Sequence, residues 1–151
     1  MIEGAYHARI VGAAEARSAF ALINLHHPEV TLELWRDFVR RAGRRPRHRG
    51  GLVAISDRRG YVHAVFAYHV NNDLRSGTAL RVSDVVMGRL PGGNLPAAIL
   101  ACVEALAREL RTGCIHVDFI DSTLAPPDRD ALRLAGFSSS GILFSRPGPA
   151  A

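Results

Sequence analysis

The sequence predicts one mixed α/β domain, with helices on both faces of a mostly antiparallel sheet. Three observations predict it. Apolar runs rich in β-branched residues alternate with segments whose apolar residues recur at helical spacing. Two of the strands join through Asp57-Arg58-Arg59-Gly60, a hairpin turn that makes them antiparallel neighbours. A long helix then separates two later strands, a crossover that makes that pair parallel and right-handed.

Taken in order, Tyr6 to Val11 reads as the first strand. Ala14 to Leu25 is helical, with Ala16, Ala19, Phe20, Ile23 and, as a further candidate, Leu22 on its inner face, until Pro28 interrupts. Thr31 caps a second helix, Leu32 to Ala42, which carries Leu34, Trp35, Phe38 and Val39 and ends at Gly43. Gly51 to Ser56 and Tyr61 to Val70 are the two hairpin strands. Asn71 to Thr78 is a polar turn leading into the fourth strand, Ala79 to Met87. Gly88 to Asn94 cannot continue a strand, and from Leu95 apolar residues recur at helical spacing as far as Leu110, with Gly113 as the stop. Cys114 to Ile120 is the fifth strand and Asp121 to Ala125 a loop. Pro126 and Pro127 open a short helix, Asp128 to Ala135, closed by Gly136. Ile142 to Ser145 is a last short strand. The order is β-α-α-β-β-β-α-β-α-β.

The fourth strand has an irregular pattern. Leu80 and Val82 share one face, Asp84 continues that face, and Val85 and Val86 are adjacent apolar residues. A bulge near Asp84 resolves this and aims backbone groups at a ligand. A plain buried strand with one partnered Asp is the other reading. The turn after it, with Gly92 and Gly93 before a helix start, offers unpaired N–H groups and a positive dipole end, a combination suited to a phosphate. Asn94 is placed to cap that helix.

The chain has 151 residues, 48% of them apolar and 22% charged, as expected of one globular domain spanning 1–146 with a disordered tail at 147–151. No apolar run is long enough for a membrane span, and Met1-Ile2-Glu3-Gly4 does not open a signal peptide. Cys102 and Cys114 read as buried free thiols rather than a disulfide or metal pair, which places the chain in a reducing cytoplasm. All nineteen basic residues are arginine, so no side-chain amine is available to form a Schiff base.

Six of those arginines lie between Arg40 and Arg49 with no acid among them, and without them the net charge of +5 becomes about −1. A solvated loop, a site for an anion, and a nucleic-acid surface are the competing readings. Nucleic acid is disfavoured because no aromatic residues interleave the arginines. Among the histidines, His26 and His27 point different ways, and His63 and His69 share a strand face at a distance. His116 and Asp118 form a pair on the fifth strand, structural or catalytic. No metal site is expected.

This element order resembles the GNAT superfamily of acyl-CoA-dependent N-acyltransferases over about residues 5 to 146. Three local matches carry the resemblance. They are the hairpin at Asp57–Gly60, the Gly136-Phe137 pair closing the last helix, and Arg89-Leu90-Pro91-Gly92-Gly93-Asn94, similar to the family's pyrophosphate loop. Asn94 departs from the usual Gly or Ala.

The resemblance implies a parallel fourth and fifth strand pair that splays to admit acetyl-CoA or another acyl-CoA. Val85, Val86 and Met87 would hold the pantetheine, and Arg89, Gly92, Gly93 and Asn94 the pyrophosphate. It implies direct transfer to a small-molecule or peptide amine, with Asp84 as base and Ser122 beside the leaving sulfur. Leu132 occupies the place where the family often has a catalytic Tyr. A non-catalytic acyl-CoA-binding or interaction module of the same fold is the alternative reading. Only one strand follows Phe137, which implies an acceptor pocket that is open or completed by a second subunit.

Overall fold

The computed structural model of the chain describes residues 5–88, 94–119, 125–141 and 144–149. Its elements are β1 (Tyr6–Ile10), α1 (Ala16–His26), α2 (Leu32–Gly43), β2 (Gly50–Asp57), β3 (Val62–Asp73), β4 (Gly77–Met87), α3 (Leu95–Glu109), β5 (Cys114–Val117) and α4 (Pro126–Leu134). One sheet runs β1-β2-β3-β4-β5 in chain order. All neighbours are antiparallel except β4 and β5, which the α3 crossover makes parallel. The predicted order and mixed sheet hold as far as α4. The last predicted strand is not found among the described residues: Phe144 and Ser145 are not in a strand, and Ile142 and Leu143 lie outside the described residues.

Alternation along the strands divides the core into two halves, one on each face of the sheet. On one face, Leu52, Ala54, Val65, Ala67 and Val86 pack beneath α1 and α2. On the other, Ile55, Phe66, Tyr68, Leu80 and Val82 pack beneath α3 through Leu95, Ile99, Val103 and Leu106. The stripe that predicted α3 is the stripe it buries. Thr31 caps α2 as expected, its Oγ1 accepting from the Leu34 N–H at 3.2 Å.

Helix ends follow local geometry that the letters only partly disclose. Gly136 closes α4 with φ +87, as predicted. At the end of α3 the left-handed residue is Arg111, φ +54, not Gly113. Gly113 serves a close approach instead: a Cβ there would stand 2.7 Å from the Ser76 carbonyl oxygen, while its N–H donates to the Thr78 carbonyl.

The β2–β3 turn is built around Asp57. Its carboxylate accepts from the N–H groups of Arg59 and Tyr61 at 2.8 and 3.0 Å and from His63 Nε2 at 2.9 Å. The His63 hydrogen bond, with help from the two N–H groups, holds the Asp57 carboxyl below its ordinary pKa of 3.8. A lowered carboxylate pKa stabilises the fold above the unfolded-state value, and that contribution fades as pH falls through the folded value. Asp57→Ala is therefore expected to melt below the parent at pH 7, with the gap narrowing below about pH 4. A gap that stays constant down to about pH 2 contradicts this role. Thermal melts across pH measure it.

Candidate active site

β4 is bulged where its sequence pattern breaks. Val65 pairs with Val86 and Ala67 with Ser83, which leaves both Asp84 and Val85 opposite Phe66. Asp84 takes up the irregularity with φ +52. Asp is one of the few non-glycine residues that tolerate this region. The extra residue takes Asp84 out of the alternation, so that it is exposed. It also lets Val85 and Met87 pack toward α3 while Val86 packs toward α1 and α2. Of the two readings of this strand, the bulge is the one found, and the Asp84 carboxylate accepts from Ser83 Oγ at 2.9 Å.

Just below the bulge, β4 and β5 part. Their ladder runs from Ala79↔Cys114 to Val82↔Val117, followed by one bond from the Asp118 N–H to the Val82 carbonyl at 2.8 Å. β5 then ends, with the predicted Asp118 and Phe119 not in the strand and Ile120 outside the described residues, whereas β4 continues to Met87. Its main chain from Ser83 onward has no β5 partner among the described residues. Parallel ladder groups left open in this way can receive the amides of an extended ligand. α3 begins at Leu95, eight residues after β4 ends at Met87, and Leu95 is buried in the core half against which Val85 and Met87 pack. Asn94 occupies the N-cap position, yet its side chain makes no capping bond, contrary to expectation. Arg89, Gly92 and Gly93 lie outside the described residues, as do Asp121 and Ser122.

The α1/α2 face is apolar only over part of its width. Toward β5 it becomes a polar field built from alternate residues of three strands. Arg81 Nε donates to Asp118 Oδ2 at 2.8 Å. His116 Nε2 lies 3.8 Å from Asp73 and 3.6 Å from Cys114 Sγ. The expected His116–Asp118 pair is therefore not formed. Asp118 is taken by Arg81 of β4, and His116 turns away from it, toward Asp73 at the end of β3 and Cys114 on its own strand. His63 and His69 are likewise separate, one on Asp57 and the other under Arg45. Both thiols are free and only partly buried, and burial pushes the Cys102 pKa up.

A cleft of about 680 Å³ runs along the outer side of β5, between Arg81, His116 and Asp118 on the sheet and Phe119, Leu132 and Phe137 on the helical side. Leu132 does line this cleft, but its side chain has no proton to give.

The arginine-rich segment is anchored to both faces at the foot of the sheet. Arg45 reaches the α1/α2 face and contacts both ring nitrogens of His69 at 2.8 and 3.1 Å. One nitrogen touching both lies over the ring rather than in line with either lone pair. Arg47 reaches the α3 face, pairing with Glu109 at 3.1 Å, while its carbonyl accepts from Tyr68 Oη at 2.9 Å. Glu109 is the last residue of α3, and the proposed phosphate turn lies at its first. The 15 residues between span about 22 Å. That distance separates Arg47 from a cofactor phosphate held at the other end. The sequence offered the arginines of 40–49 as a group for an anion but singled out neither Arg45 nor its partner His69. The available signal was Gly50-Gly51, two glycines opening a strand, which often mark close approach.

A bulged β4, a parallel β5 that splays from it and a helix starting over the gap together define the GNAT fold. Solved structures agree. The chain is similar to glucosamine-6-phosphate N-acetyltransferase from Arabidopsis thaliana, with TM-score 0.68 and 18% identity over 95% of this chain and 99% of that one. It is similar to aminoglycoside 6'-N-acetyltransferase from Acinetobacter baumannii, with TM-score 0.72 and 9% identity over 96% and 99%. It is also similar to an aminoglycoside N-acetyltransferase solved in complex with CoA, with TM-score 0.71 and 11% identity over 97% and 99%. No family model matches the chain, and no curated protein matches it. The chain has the GNAT fold, at 9 to 18% identity to these three structures.

Proposed function

We propose that this chain is an acyl-CoA-dependent N-acyltransferase that moves an acetyl or other acyl group directly onto an amine. The observation that carries the reading is the β5-facing edge of β4 from Ser83 to Met87, bulged at Asp84 and without a β5 partner among the described residues. Extended backbone with open hydrogen-bonding groups fits the amide-bearing arm of coenzyme A, and the start of α3 beyond it fits the diphosphate. Val85, Val86 and Met87 take the first role, and Arg89, Gly92, Gly93 and Asn94 the second.

Bound there, an acyl-CoA supplies an activated acyl carbon and a thiolate leaving group. Asp84, exposed at the bulge, accepts a proton from the acceptor ammonium, directly or through water. The freed amine forms the new C–N bond as the C–S bond breaks, and the second amine proton passes to the departing thiolate, which leaves as the thiol. Main-chain N–H groups of β4 stabilise the developing oxyanion. Ser122 is assigned as hydrogen-bond donor to the departing sulfur. Leu132 cannot protonate it, an observation that favours a second reading as a non-catalytic acyl-CoA-binding module.

Thermal melts with acetyl-CoA test the shared part. A ligand of the native state at about a hundred times its Kd stabilises by about 2.7 kcal/mol, so the melting temperature is expected to rise with concentration. Gly92→Val with Gly93→Val is expected to remove that rise. No shift at millimolar acetyl-CoA overturns both readings. Thiol release with a panel of amines then separates enzyme from module.

A further inference from the structure

The polar field beside the bulge is charged differently at its two ends. At the bulge stands the Asp84 carboxylate, held by Ser83 Oγ. Toward the foot of the sheet come His69 and Arg81, register partners on β3 and β4, with Arg45 laid over His69. Arg81 uses Nε on Asp118, which leaves its terminal guanidinium nitrogens toward solvent and the cleft. Arg45 offers its remaining donors, and Arg44 beside it is exposed.

This end is built, not incidental. Gly50 lies under the cluster, and a Cβ there would stand 2.9 Å from His69 Nδ1 and 2.8 Å from the Tyr68 carbonyl oxygen. Only glycine lets His69 and Arg45 pack there. Burial, and after it the Arg45 charge, lowers the His69 pKa. The ring is therefore neutral at pH 7 and offers one N–H. Asp118 is already taken by Arg81, and Asp37 is taken by Arg40.

We propose that Arg45, His69 and Arg81 form a subsite for an oxyanion, a carboxylate or phosphate, borne by the amine acceptor. The proposal rests on the acyltransferase reading for the identity of the acceptor, but not for the binding of the anion. His69 lies three residues from Phe66, which faces the bulge, so amine and anion sit about 10 Å apart along the strand. The acceptor class is an amine with a negative group at that reach.

The test follows the His69 ring and the Arg45 and Arg81 Nε–H signals by NMR during titration with inorganic phosphate and, separately, acetate. Acetyl-CoA is added in neither arm. Saturable shifts at these three residues are expected, weakened at least tenfold in Arg45→Ala and in Arg81→Ala. Stronger phosphate than acetate binding identifies a phosphate site, and the reverse a carboxylate site. Absence of saturable shifts with either anion, or equal affinity in both variants and the parent, overturns the proposal. Failure of acetyl-CoA to raise the melting temperature is a separate result that overturns the acyltransferase reading alone. Gly50→Ala supplies a further readout: it is expected to shift His69 before any anion is added and to weaken phosphate binding, and unchanged binding there also counts against the subsite.

Discussion

In Asp84→Val, acetyl-CoA binding is expected to fall by roughly ten- to a hundredfold, whereas Asp84→Gly is expected to keep that binding and lose turnover. The two substitutions separate the backbone at the bulge from the carboxylate it carries. Asp84 sits at φ +52, where a β-branched residue is strained by about 1–3 kcal/mol. Valine would relieve that strain by flattening the bulge, and each loss of about 1.4 kcal/mol from the competent conformation is about a tenfold loss of apparent affinity. Glycine adopts the same backbone without penalty. It removes only the proton acceptor, worth about 10²–10⁴ in rate. Asp84→Asn, which keeps the bond to Ser83 and tolerates the same φ, is expected to behave as glycine does. Calorimetric titration with acetyl-CoA and thiol release with an amine measure the two effects. Full turnover in Asp84→Gly removes Asp84 as the base. Undiminished binding in Asp84→Val removes the bulge as the determinant of the cofactor groove.

That bulge was legible because it breaks a short-range rule. Asp84 falls on the face of Leu80 and Val82, which is buried beneath α3, so the alternation itself raised the bulge as one of two readings. The α3 stripe and the Asp57 turn were legible for the same reason: the signal lies within a few residues of its cause. What escaped were contacts between segments distant in sequence. Nothing local to His116 and Asp118 shows that Arg81 will pair with Asp118, because that depends on the parallel register of β4 and β5. Nothing in the arginine run shows that Arg45 and Arg47 take opposite faces of the sheet. Their partners, His69 and Glu109, lie 24 and 62 residues further along the chain. The stop of α3 was placed at Gly113 because glycine is the usual left-handed residue. Arg111 takes that conformation, and Gly113 is fixed by a backbone contact with Ser76.

Trp35→Ala is expected to cost about 3–5 kcal/mol, the range for removing a large buried aromatic side chain. That is a large share of the roughly 5–15 kcal/mol that holds a typical domain folded. Trp35 is 4% exposed within the core half beneath α1 and α2. Its Nε1 donates to the Ala16 carbonyl at 2.7 Å, a buried bond that ties α2 to the start of α1. Its ring lies stacked 6.0 Å from Phe38. Trp35→Phe keeps most of the apolar contact and loses the donor, so a smaller loss of about 1–3 kcal/mol is expected. Denaturant midpoints measure both. The consequence for function is asymmetric, because the two halves of the core lie on opposite faces of the sheet. The half beneath α3, against which Val85 and Met87 of the proposed acyl-CoA groove pack, does not include Trp35, and only Val86 of that groove lies in the Trp35 half. α2 leads directly into the segment that carries Arg45. In Trp35→Phe, phosphate binding at Arg45 and His69 is therefore expected to weaken while the acetyl-CoA melting shift is preserved. Equal weakening of both would mean that the two faces are coupled more tightly than their separate cores imply.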